Sequence, residues 1–290
     1  MNWLAIVNPA AGFRRTPAQL RALNRLLEPC FGNQVVFTQG PGEAEHLARS
    51  SKADGLAVFG GDGTLAEAVN GMDLERQRLL LLPGGTGNGL ARDLQMTDLA
   101  KALERKGGEA VRALDILQVD YRAGGEQRSR LVISTAAVGY AAEVVDLAKR
   151  SFREWGPWSY TGASIVRAAL QPTFRVSLRA DGLPESEHEI SNVMVNNTRH
   201  AGNFRAFQQA DPADGRFEVL VARAGFGQQV LHNIAVLTRV YFYATATETT
   251  HKDFSMKLAD PQKLMLDGEL WESVDEARFR ILPGRLRCAV

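Results

Sequence analysis

The sequence predicts a two-part protein, an α/β N-terminal domain with a mainly parallel sheet followed by an antiparallel β domain. From Trp3 to about Ala113, short apolar runs alternate with stretches of helical length. From about Leu114 onward, alternating strand patterns are broken by Gly, Asn and Asp. The 290 residues, of which 45% are hydrophobic, are enough to bury two separate cores.

In the first part, strands and helices are predicted to follow one another in a regular β-α order. The strands are predicted at the apolar runs "WLAIV", "QVVF", "LAVF" and "LLLL". The helices are predicted at "TPAQLRALNRLLE", "GEAEHLARS", "TLAEAVN" and "DLAKALERK". Strands that alternate with helices in this way pair in parallel, with helices on both faces of the sheet.

The second part has the pattern of hairpins and meanders. Its predicted strand segments are "DILQVDYRAGGEQRSRLVIS", "FRVSLRADGLPESEHEISNVMVN", "GRFEVLVA", "FSMKLADPQKLMLDGE" and "ARFRILPGRLRCAV". Two helical segments are predicted within it, over residues 141–170 and 228–244. The first contains "LAKRSFREWGPWSY", a basic and aromatic mixture that suits a membrane interface. Tryptophans packed between sheet and helix, beside a solvated basic face, explain the mixture too, and we favour that interpretation.

Composition narrows the classes of function. The chain has 34 Lys and Arg against 33 Asp and Glu, and this net charge of +1 provides no general attraction to nucleic acid. The start "MNWLAIVNPAAG" lacks the basic region of a signal peptide and no apolar run has membrane-spanning length, so we expect a cytoplasmic protein. The cysteines Cys30 and Cys288 and the five scattered histidines lack metal-type spacing.

A glycine-rich loop follows the third predicted strand, in "VFGGDGTLAEA". Because a helix is expected to begin near Thr64, its first N–H groups and its dipole form an anion site. The three glycines Gly60, Gly61 and Gly63 indicate that a ligand approaches the backbone closely. A dinucleotide motif is disfavoured, because the loop follows the third strand and the next strand ends without an acid for a ribose. A P-loop is excluded, since the chain has no Gly-Lys-Ser or Gly-Lys-Thr.

Asp62 stands in the middle of this loop, where its charge would repel a phosphate. A carboxylate there can hold Mg²⁺, often through water, while the glycine amides bind the phosphate oxygens. Asp62 therefore predicts a complex of metal and nucleotide. It can also cap a helix N-terminus, and the two roles are compatible.

A second glycine-rich loop, "LLPGGTGNGLARDL", follows the next strand. The carboxyl ends of parallel strands share one edge, where open α/β sheets bind ligands, so the two loops are predicted side by side. The loop "VNPAAG" and the end of the second strand join the same edge. Besides the first glycine loop, the residues expected there are Asn8, Gly12, Thr38, Gly84, Gly85, Thr86, Gly87 and Asn88.

Together these residues resemble the diacylglycerol kinase catalytic-domain family, in particular its soluble bacterial lipid kinases, which are related to sphingosine kinases. The segments that carry the resemblance are "NPAAG" at 8–12, "GGDGT" at 60–64, "PGGTGNGLAR" at 83–92, "DPADG" at 211–215 and "LDGE" at 266–269. "GGDGT" alone would also suit NAD kinases and phosphofructokinases. The form of the second loop separates the lipid kinases from both.

The resemblance implies that ATP is held by Thr38, the segment from Gly61 to Glu67, and Thr86. With the other polar and glycine residues of the edge, the expected nucleotide-binding set is Asn8, Thr38, Gly60, Gly61, Asp62, Gly63, Thr64, Leu65, Ala66, Glu67, Gly85, Thr86 and Asn88. It also implies that an acid of the "DGE" turn, Glu269 or Asp267, is the general base. The run "MLDGELW" predicts a tight Asp-Gly turn between strands and does not choose between the two acids, of which we favour Glu269. A structural Mg²⁺ is implied at Asp214, with backbone oxygens of Asp211 and Arg216.

The implied architecture is a phosphofructokinase-like α/β domain of residues 1–114 and 280–290 and a β-sandwich lipid-substrate domain of residues 115–279, with ATP in the cleft. The implied partners are ATP, Mg²⁺, a lipid such as diacylglycerol and, transiently, the membrane surface, without nucleic acid; a homodimer is left open. Two alternatives stay open. One is a small-molecule kinase of the same superfamily, such as one acting on NAD, and the other is a catalytically silent nucleotide-binding regulatory protein.

Overall fold

The computed structural model describes residues 1–12, 15–85, 87–151, 162–163, 166–167, 173–201, 204–205, 207–223 and 246–290. Three expectations lie wholly or largely outside these residues: the role of Thr86, the helix over 228–244, and most of the basic and aromatic stretch that begins near Lys149. None of the helices within the described ranges has the length and apolar character needed to cross a membrane.

The first part of the chain alternates strands and helices, as predicted. In chain order its elements are β1 (Trp3–Val7), α1 (Pro17–Phe31), β2 (Val35–Phe37), α2 (Glu43–Ser50), β3 (Gly55–Gly60), α3 (Asp62–Gly71), β4 (Arg78–Pro83), α4 (Gly89–Asp93) and α5 (Leu99–Glu104). The start of α1 shows how local sequence fixes a boundary. Thr16 accepts a hydrogen bond from the Gln19 amide, and the Gln19 side chain accepts one from the Thr16 amide, so both unpaired amides are satisfied.

The strands of this part pair in parallel in the order β4-β3-β1-β2. Val7, at the end of β1, pairs in register with Phe37 and Phe59 at the ends of the neighbouring strands. Gly60 pairs likewise with Pro83 at the end of β4. The loops after all these strands therefore leave the sheet at one edge, which is the placement that the sequence predicts.

The second part is built of antiparallel strands. In chain order its elements are β5 (Val111–Ala123), β6 (Glu126–Val132), β7 (Thr135–Gly139), α6 (Tyr140–Ser151), β8 (Phe174–Ala180), β9 (Ser186–Asn196), β10 (His200–Ala201), β11 (Phe204–Arg205), β12 (Phe217–Arg223), β13 (Ala246–His251), β14 (Asp253–Leu266) and β15 (Glu269–Ala289). The predicted helix over 141–170 begins as α6, and most of its residues after Ser151 lie outside the described ranges.

β7 and β8 occupy the same position in the sheet, between β9 and β14, like two parts of one interrupted strand. Both pair with β9 and with β14, and the pairing to β9 passes from Gly139 to Phe174. Residues 140–173, which include α6, therefore leave the sheet and return to it. Gly139 makes this exit with φ of 91°, and a Cβ there would lie 2.6 Å from the Phe174 ring, so a side chain is excluded.

The long strand β15 joins the two parts. It pairs with β14 and β5 in antiparallel fashion, and Cys288 near its end pairs in parallel with Leu79 of β4. One buried cluster surrounds the parallel strands and includes Ile116 and Cys288, and a second begins at Leu117 and fills the antiparallel part. The domain limits at 114/115 and 279/280 and the β-sandwich arrangement stay predictions.

Candidate active site

Asn8 and Thr38 lie at the edge where the parallel strands end. The Asn8 amide donates to the Phe59 carbonyl at 2.9 Å, and Asn8 Nδ2 donates to the Thr64 hydroxyl at 2.8 Å. The Thr38 amide donates to the Val7 carbonyl at 2.9 Å, and its side chain is buried. β1 thus brings Asn8 to the start of α3, and β2 brings Thr38 next to the end of β1.

The glycines of three loops pack against one another. Gly12 has φ of 76°, and a Cβ there would lie 2.8 Å from the carbonyl oxygen of Gly84. A Cβ on Gly85 would overlap the Cα of Gly61 and lie 3.0 Å from its nitrogen. Asn88 closes the second loop, since its Oδ1 accepts from the Gly85 amide at 3.0 Å and its Nδ2 donates to the Gly85 carbonyl at 2.7 Å. This approach of loops needs glycine whether or not a ligand is present.

The start of α3 presents amides that precede the helix's own hydrogen bonds. The first bond of the helix runs from the Leu65 amide to the Gly61 carbonyl at 3.0 Å, so the amides of residues 62–64 come before it. Thr64 and Leu65 are buried in the first turn, while Ala66 and Glu67 are half-buried. A Cβ on Gly60 would overlap the Thr64 side chain. Such a helix N-terminus suits an anion.

Asp62 contacts the second glycine loop. Its Oδ1 accepts a hydrogen bond from the Gly89 amide at 2.8 Å, at the start of α4, and the Leu90 amide also donates to it. Burial raises the pKa of Asp62, and the two amides partly offset that effect. Asp62 therefore caps the short helix of the neighbouring loop rather than its own helix, whose N-cap is Gly61.

Asp267 lies inside the protein, on the predicted tight turn between β14 and β15. Residues 267 and 268 both have positive φ, 47° and 83°. The Asp267 carboxylate accepts hydrogen bonds from three consecutive amides, those of Ile133, Ser134 and Thr135, at 3.0, 2.8 and 3.1 Å. Burial raises the pKa of Asp267 to about 7, the three amides oppose this, and the charge of Asp62 adds to it.

Glu269 borders the glycine loop at the surface. A Cβ on Gly63 would lie 3.5 Å from Oε1 of Glu269, and the Glu269 side chain is 60% exposed. Oε2 of Glu269 is 2.5 Å from Nζ of Lys149 on α6. The two acids of the turn thus have different surroundings, because Asp267 binds backbone amides while Glu269 faces the start of α3.

A set of polar contacts between α4 and the antiparallel part of the chain was not predicted from the sequence. A Cβ on Gly89 would lie 2.8 Å from the His200 carbonyl oxygen and 3.4 Å from the Ser134 hydroxyl. Asp93, at the end of α4, accepts from the Arg199 amide at 2.6 Å and pairs with His200 Nδ1. These partners are more than 100 residues apart in the chain, so local sequence patterns carry no sign of them.

Arg15 is a further candidate that the sequence analysis missed. Its guanidinium donates to the Ala11 carbonyl at 2.7 Å, lies 3.4 Å from the Gly84 carbonyl and stands over the Phe59 ring at 4.9 Å. The side chain thus brings a positive charge to the place where the loop after β1 meets the loop after β4. Its position a few residues after "NPAAG" is the only hint in the sequence.

The predicted metal loop places Asp211 and Asp214 together near Asp115. Asp211 accepts from Arg112 Nη2 at 3.1 Å, and Asp214 accepts from the Arg216 amide at 2.9 Å. Burial, followed by the negative charges of Asp211 and Asp115, raises the pKa of Asp214. Within the described residues, no group of three or more His, Cys, Asp or Glu could hold a metal ion, so backbone oxygens would have to complete a site here.

Comparisons with known proteins find similarity over most of the chain. Residues 2–119 match the family described as "Diacylglycerol kinase catalytic domain". The "Putative lipid kinase YtlR" of Bacillus subtilis is 25% identical over 244 residues, 76% of this chain and 77% of that protein. A diacylglycerol kinase of the same organism is 26% identical over 287 residues, 91% of this chain and 88% of that protein.

A solved structure has a fold similar to that of this chain. The crystal structure of a "putative diacylglycerol kinase" from Bacillus anthracis str. Sterne matches with a TM-score of 0.80 at 22% identity, over 99% of this chain and 94% of that chain. At that identity the likeness shows a shared fold. Residues 2–119 thus match the diacylglycerol kinase catalytic-domain family, and relatives named as lipid kinases are similar to most of the chain.

Proposed function

We propose that the protein is a lipid kinase that transfers the γ-phosphoryl group of Mg²⁺-bound ATP to a hydroxyl of diacylglycerol or a similar acylated alcohol. The family match and the names of the relatives support the lipid kinase class. The observation that carries the proposal is the position of Glu269. This carboxylate comes from the antiparallel part of the chain and lies against Gly63, at the start of α3, whose first amides would bind an anion.

The nucleotide would bind where the strand-end loops meet. The amides of residues 62–64 and the dipole of α3 would hold phosphate oxygens. Asn8, Thr38, Thr86 and Asn88 would contribute hydroxyl and amide groups, and Arg15 would add positive charge. Because Mg²⁺ usually keeps waters and binds one or two carboxylates together with the phosphates, Asp62 would be its protein partner.

The chemical step needs a proton acceptor near the γ-phosphoryl group. The oxygen of the lipid hydroxyl forms a bond to the γ-phosphorus, the bond from that phosphorus to the leaving ADP oxygen breaks, and the hydroxyl proton passes to Glu269. Asp267 suits this role less well, since its carboxylate already accepts three amide hydrogen bonds inside the protein. We propose instead that Asp267 stabilises the turn that carries Glu269.

The second part of the chain would bind the lipid. We propose that residues 115–279 form this domain and that the protein meets the membrane surface transiently to reach its substrate. The loop of Asp211, Asp214 and Arg216 would hold a structural cation, and the negative charges of Asp211 and Asp115 beside Asp214 support this assignment.

Phosphorylation of a lipid extract tests the function. The protein, Mg²⁺ and γ-labelled ATP are incubated with total cellular lipid, with NAD, or with neither, and the labelled product is identified. We expect label in a phospholipid, and at least roughly 100-fold slower labelling with the Glu269→Gln variant. Label in NADP would favour the small-molecule kinase, and ATP binding without transfer to any acceptor would favour the silent regulatory protein.

A further inference from the structure

Lys149 contacts the carboxylate that we propose as the general base. Its Nζ lies 2.5 Å from Oε2 of Glu269, and the other oxygen, Oε1, faces Gly63. One oxygen is therefore bound and the other is turned toward the phosphate-binding end of α3. On the basis of the proposed function, we propose that Lys149 is a positioning residue that holds Glu269 in this orientation, so that Oε1 meets the acceptor hydroxyl.

The helix that carries Lys149 packs against β14, the strand that leads into the turn before Glu269. Ala142 and Val145 of α6 are buried with Met265 of β14, and Lys149 follows Val145 by about one helical turn. On a neighbouring face, Lys263 of β14 contacts Asp146 at 2.6 Å, and it also contacts Glu143 of α6 at 3.0 Å. The backbone position of Lys149 is thus set by α6.

The hairpin is fixed equally well. Leu266, the last residue of β14, pairs with Ala136 of β7, and the three amide bonds to Asp267 hold the turn itself. The lysine and the glutamate therefore project from rigid elements, and only their side chains remain to be oriented. Functional groups that extend from such elements keep their geometry well when a neighbouring contact fixes the rotamer.

Because both side chains are exposed to solvent, loss of their ion pair should change the orientation of Glu269 without changing the stability of the fold. The side chains of Lys149 and Glu269 are 37% and 60% exposed, and ion pairs of this kind contribute little to folding. Without Lys149, the exposed Glu269 side chain would take several rotamers. A reacting group that is misplaced by about 1 Å can lose up to roughly 100-fold in rate, so the loss is expected in the chemical step.

Kinetics of Lys149→Met and Lys149→Arg with a short-chain, soluble diacylglycerol test the proposal. We expect kcat to fall by roughly 10- to 100-fold in Lys149→Met, with KM for ATP and the midpoint of thermal unfolding unchanged. Lys149→Arg should restore most of the rate. Arg150→Met is the matched control, because Arg150 pairs with Asp146 on the same helix and loses the same charge.

A double variant and a crystal structure complete the test. In the Glu269→Gln background, Lys149→Met should cause no further loss, since the group that it positions is gone. A raised KM for ATP with unchanged kcat, or losses that multiply in the double variant, would overturn the proposal. If the wild-type protein phosphorylates no acceptor, the proposed function fails. In that case a crystal structure of the Lys149→Met variant still tests the positioning role of Lys149, and an unchanged orientation of the Glu269 side chain would refute that role.

Discussion

The contact between Gly85 and Gly61 leaves no room for a side chain, because a Cβ on Gly85 would overlap the Cα of Gly61 and lie 2.9 Å from Oδ1 of Asn88. Both obstacles are held by hydrogen bonds and neither is the end of a long flexible chain. We therefore expect Gly85→Ala to push the two glycine loops apart. It should lower the free energy of unfolding by about 1–3 kcal/mol and weaken ATP binding at least tenfold.

The matched control is Gly107→Ala, because a Cβ on Gly107 meets nothing within 4 Å and the residue has no positive φ. Chemical unfolding gives the stability of both variants, and calorimetric titration gives their affinity for ATP with Mg²⁺. Equal ATP affinity in Gly85→Ala and Gly107→Ala would mean that the packing of the loops has no part in nucleotide binding.

The two acids of the hairpin turn should respond to mutation in opposite ways. Asp267→Ala leaves three buried amides, those of residues 133–135, without their acceptor, and we expect a loss of about 3 kcal/mol of unfolding free energy. Glu269→Gln alters an exposed side chain and should change stability by less than about 0.5 kcal/mol while lowering kcat by roughly 100- to 10,000-fold. Urea unfolding and a kinase assay on both variants check this, and full activity of Glu269→Gln would remove it as the base.

At the residue scale, the sequence could identify the acids but not their partners. Spacing within a loop marks Asp62 and Asp267 as unusual, and a turn pattern predicts the left-handed backbone at residue 267. The amides that these carboxylates bind are 27 residues away for Asp62 and at least 132 residues away for Asp267. Such partners depend on how distant strands meet, so they need the three-dimensional structure.

At the scale of elements, the side chain of Asn70 on α3 makes two hydrogen bonds to the backbone of β6. Asn70 Nδ2 donates to the Leu131 carbonyl at 2.8 Å, and Asn70 Oδ1 accepts from the Leu131 amide at 2.9 Å. The amide group thus pairs with this residue as a neighbouring strand would. This places α3 against the antiparallel part of the chain.

We expect Asn70→Ala to lower the free energy of unfolding by about 1–3 kcal/mol, because both backbone groups of Leu131 lose a half-buried partner. The exposed Asn33 serves as the control, and Asn33→Ala should change stability by less than about 0.5 kcal/mol. Urea unfolding of the two variants measures the difference. Equal stability would show that water replaces the Asn70 contacts without loss.

The proposed cation site in the loop of Asp211 and Asp214 predicts that thermal stability depends on Mg²⁺. If a cation neutralises Asp211 and Asp214, millimolar Mg²⁺ should raise the midpoint of thermal unfolding by a few degrees, since a ligand of the folded state stabilises it. Chelation should reverse the rise, and Asp214→Asn should remove the dependence on Mg²⁺. A wild-type midpoint that is the same with Mg²⁺ and with chelator would contradict a structural cation at this loop.

The elements that the sequence predicted well are those with a strong local pattern. The buried runs of β1, β3 and β4 and the capped start of α1 fall where apolar periodicity and capping residues place them. The elements β7 ("TAAVG") and α4 ("GLARD") were missed because neither contains a run of large apolar residues. The continuation of β7 by β8 could not be found, since their pairing is defined by β9 and β14.

At the scale of the whole molecule, the antiparallel part is joined to the parallel strands through β15, whose first residue is Glu269 and whose end pairs with β4. A single strand therefore runs from the proposed general base to the sheet that carries the glycine loops. Alternation in the sequence predicted both kinds of sheet. It could not predict that one strand belongs to both, because register between distant strands leaves no local pattern.

The stability of the molecule should depend on pH through its buried acids. Burial, aided by negative neighbours of which Asp214 has the largest effect, raises the pKa of Glu218 to about 7, and burial raises the pKa of Asp267 to about 7. In the unfolded chain such groups titrate near pH 4. Between about pH 4 and 7 the folded protein therefore binds protons that the unfolded chain releases, and its stability rises as the pH falls.

We expect a higher midpoint of thermal unfolding at pH 5.5 than at pH 8, with each such acid adding up to about 1.4 kcal/mol per pH unit to the slope. Asp120 and Asp181, whose pKa values are lowered, favour the opposite direction only nearer pH 4. Glu218→Gln should flatten the dependence, because an amide binds no proton on folding. If the variant and the wild type change equally between the two pH values, Glu218 is ionised in the folded protein and its negative surroundings must hold a compensating cation.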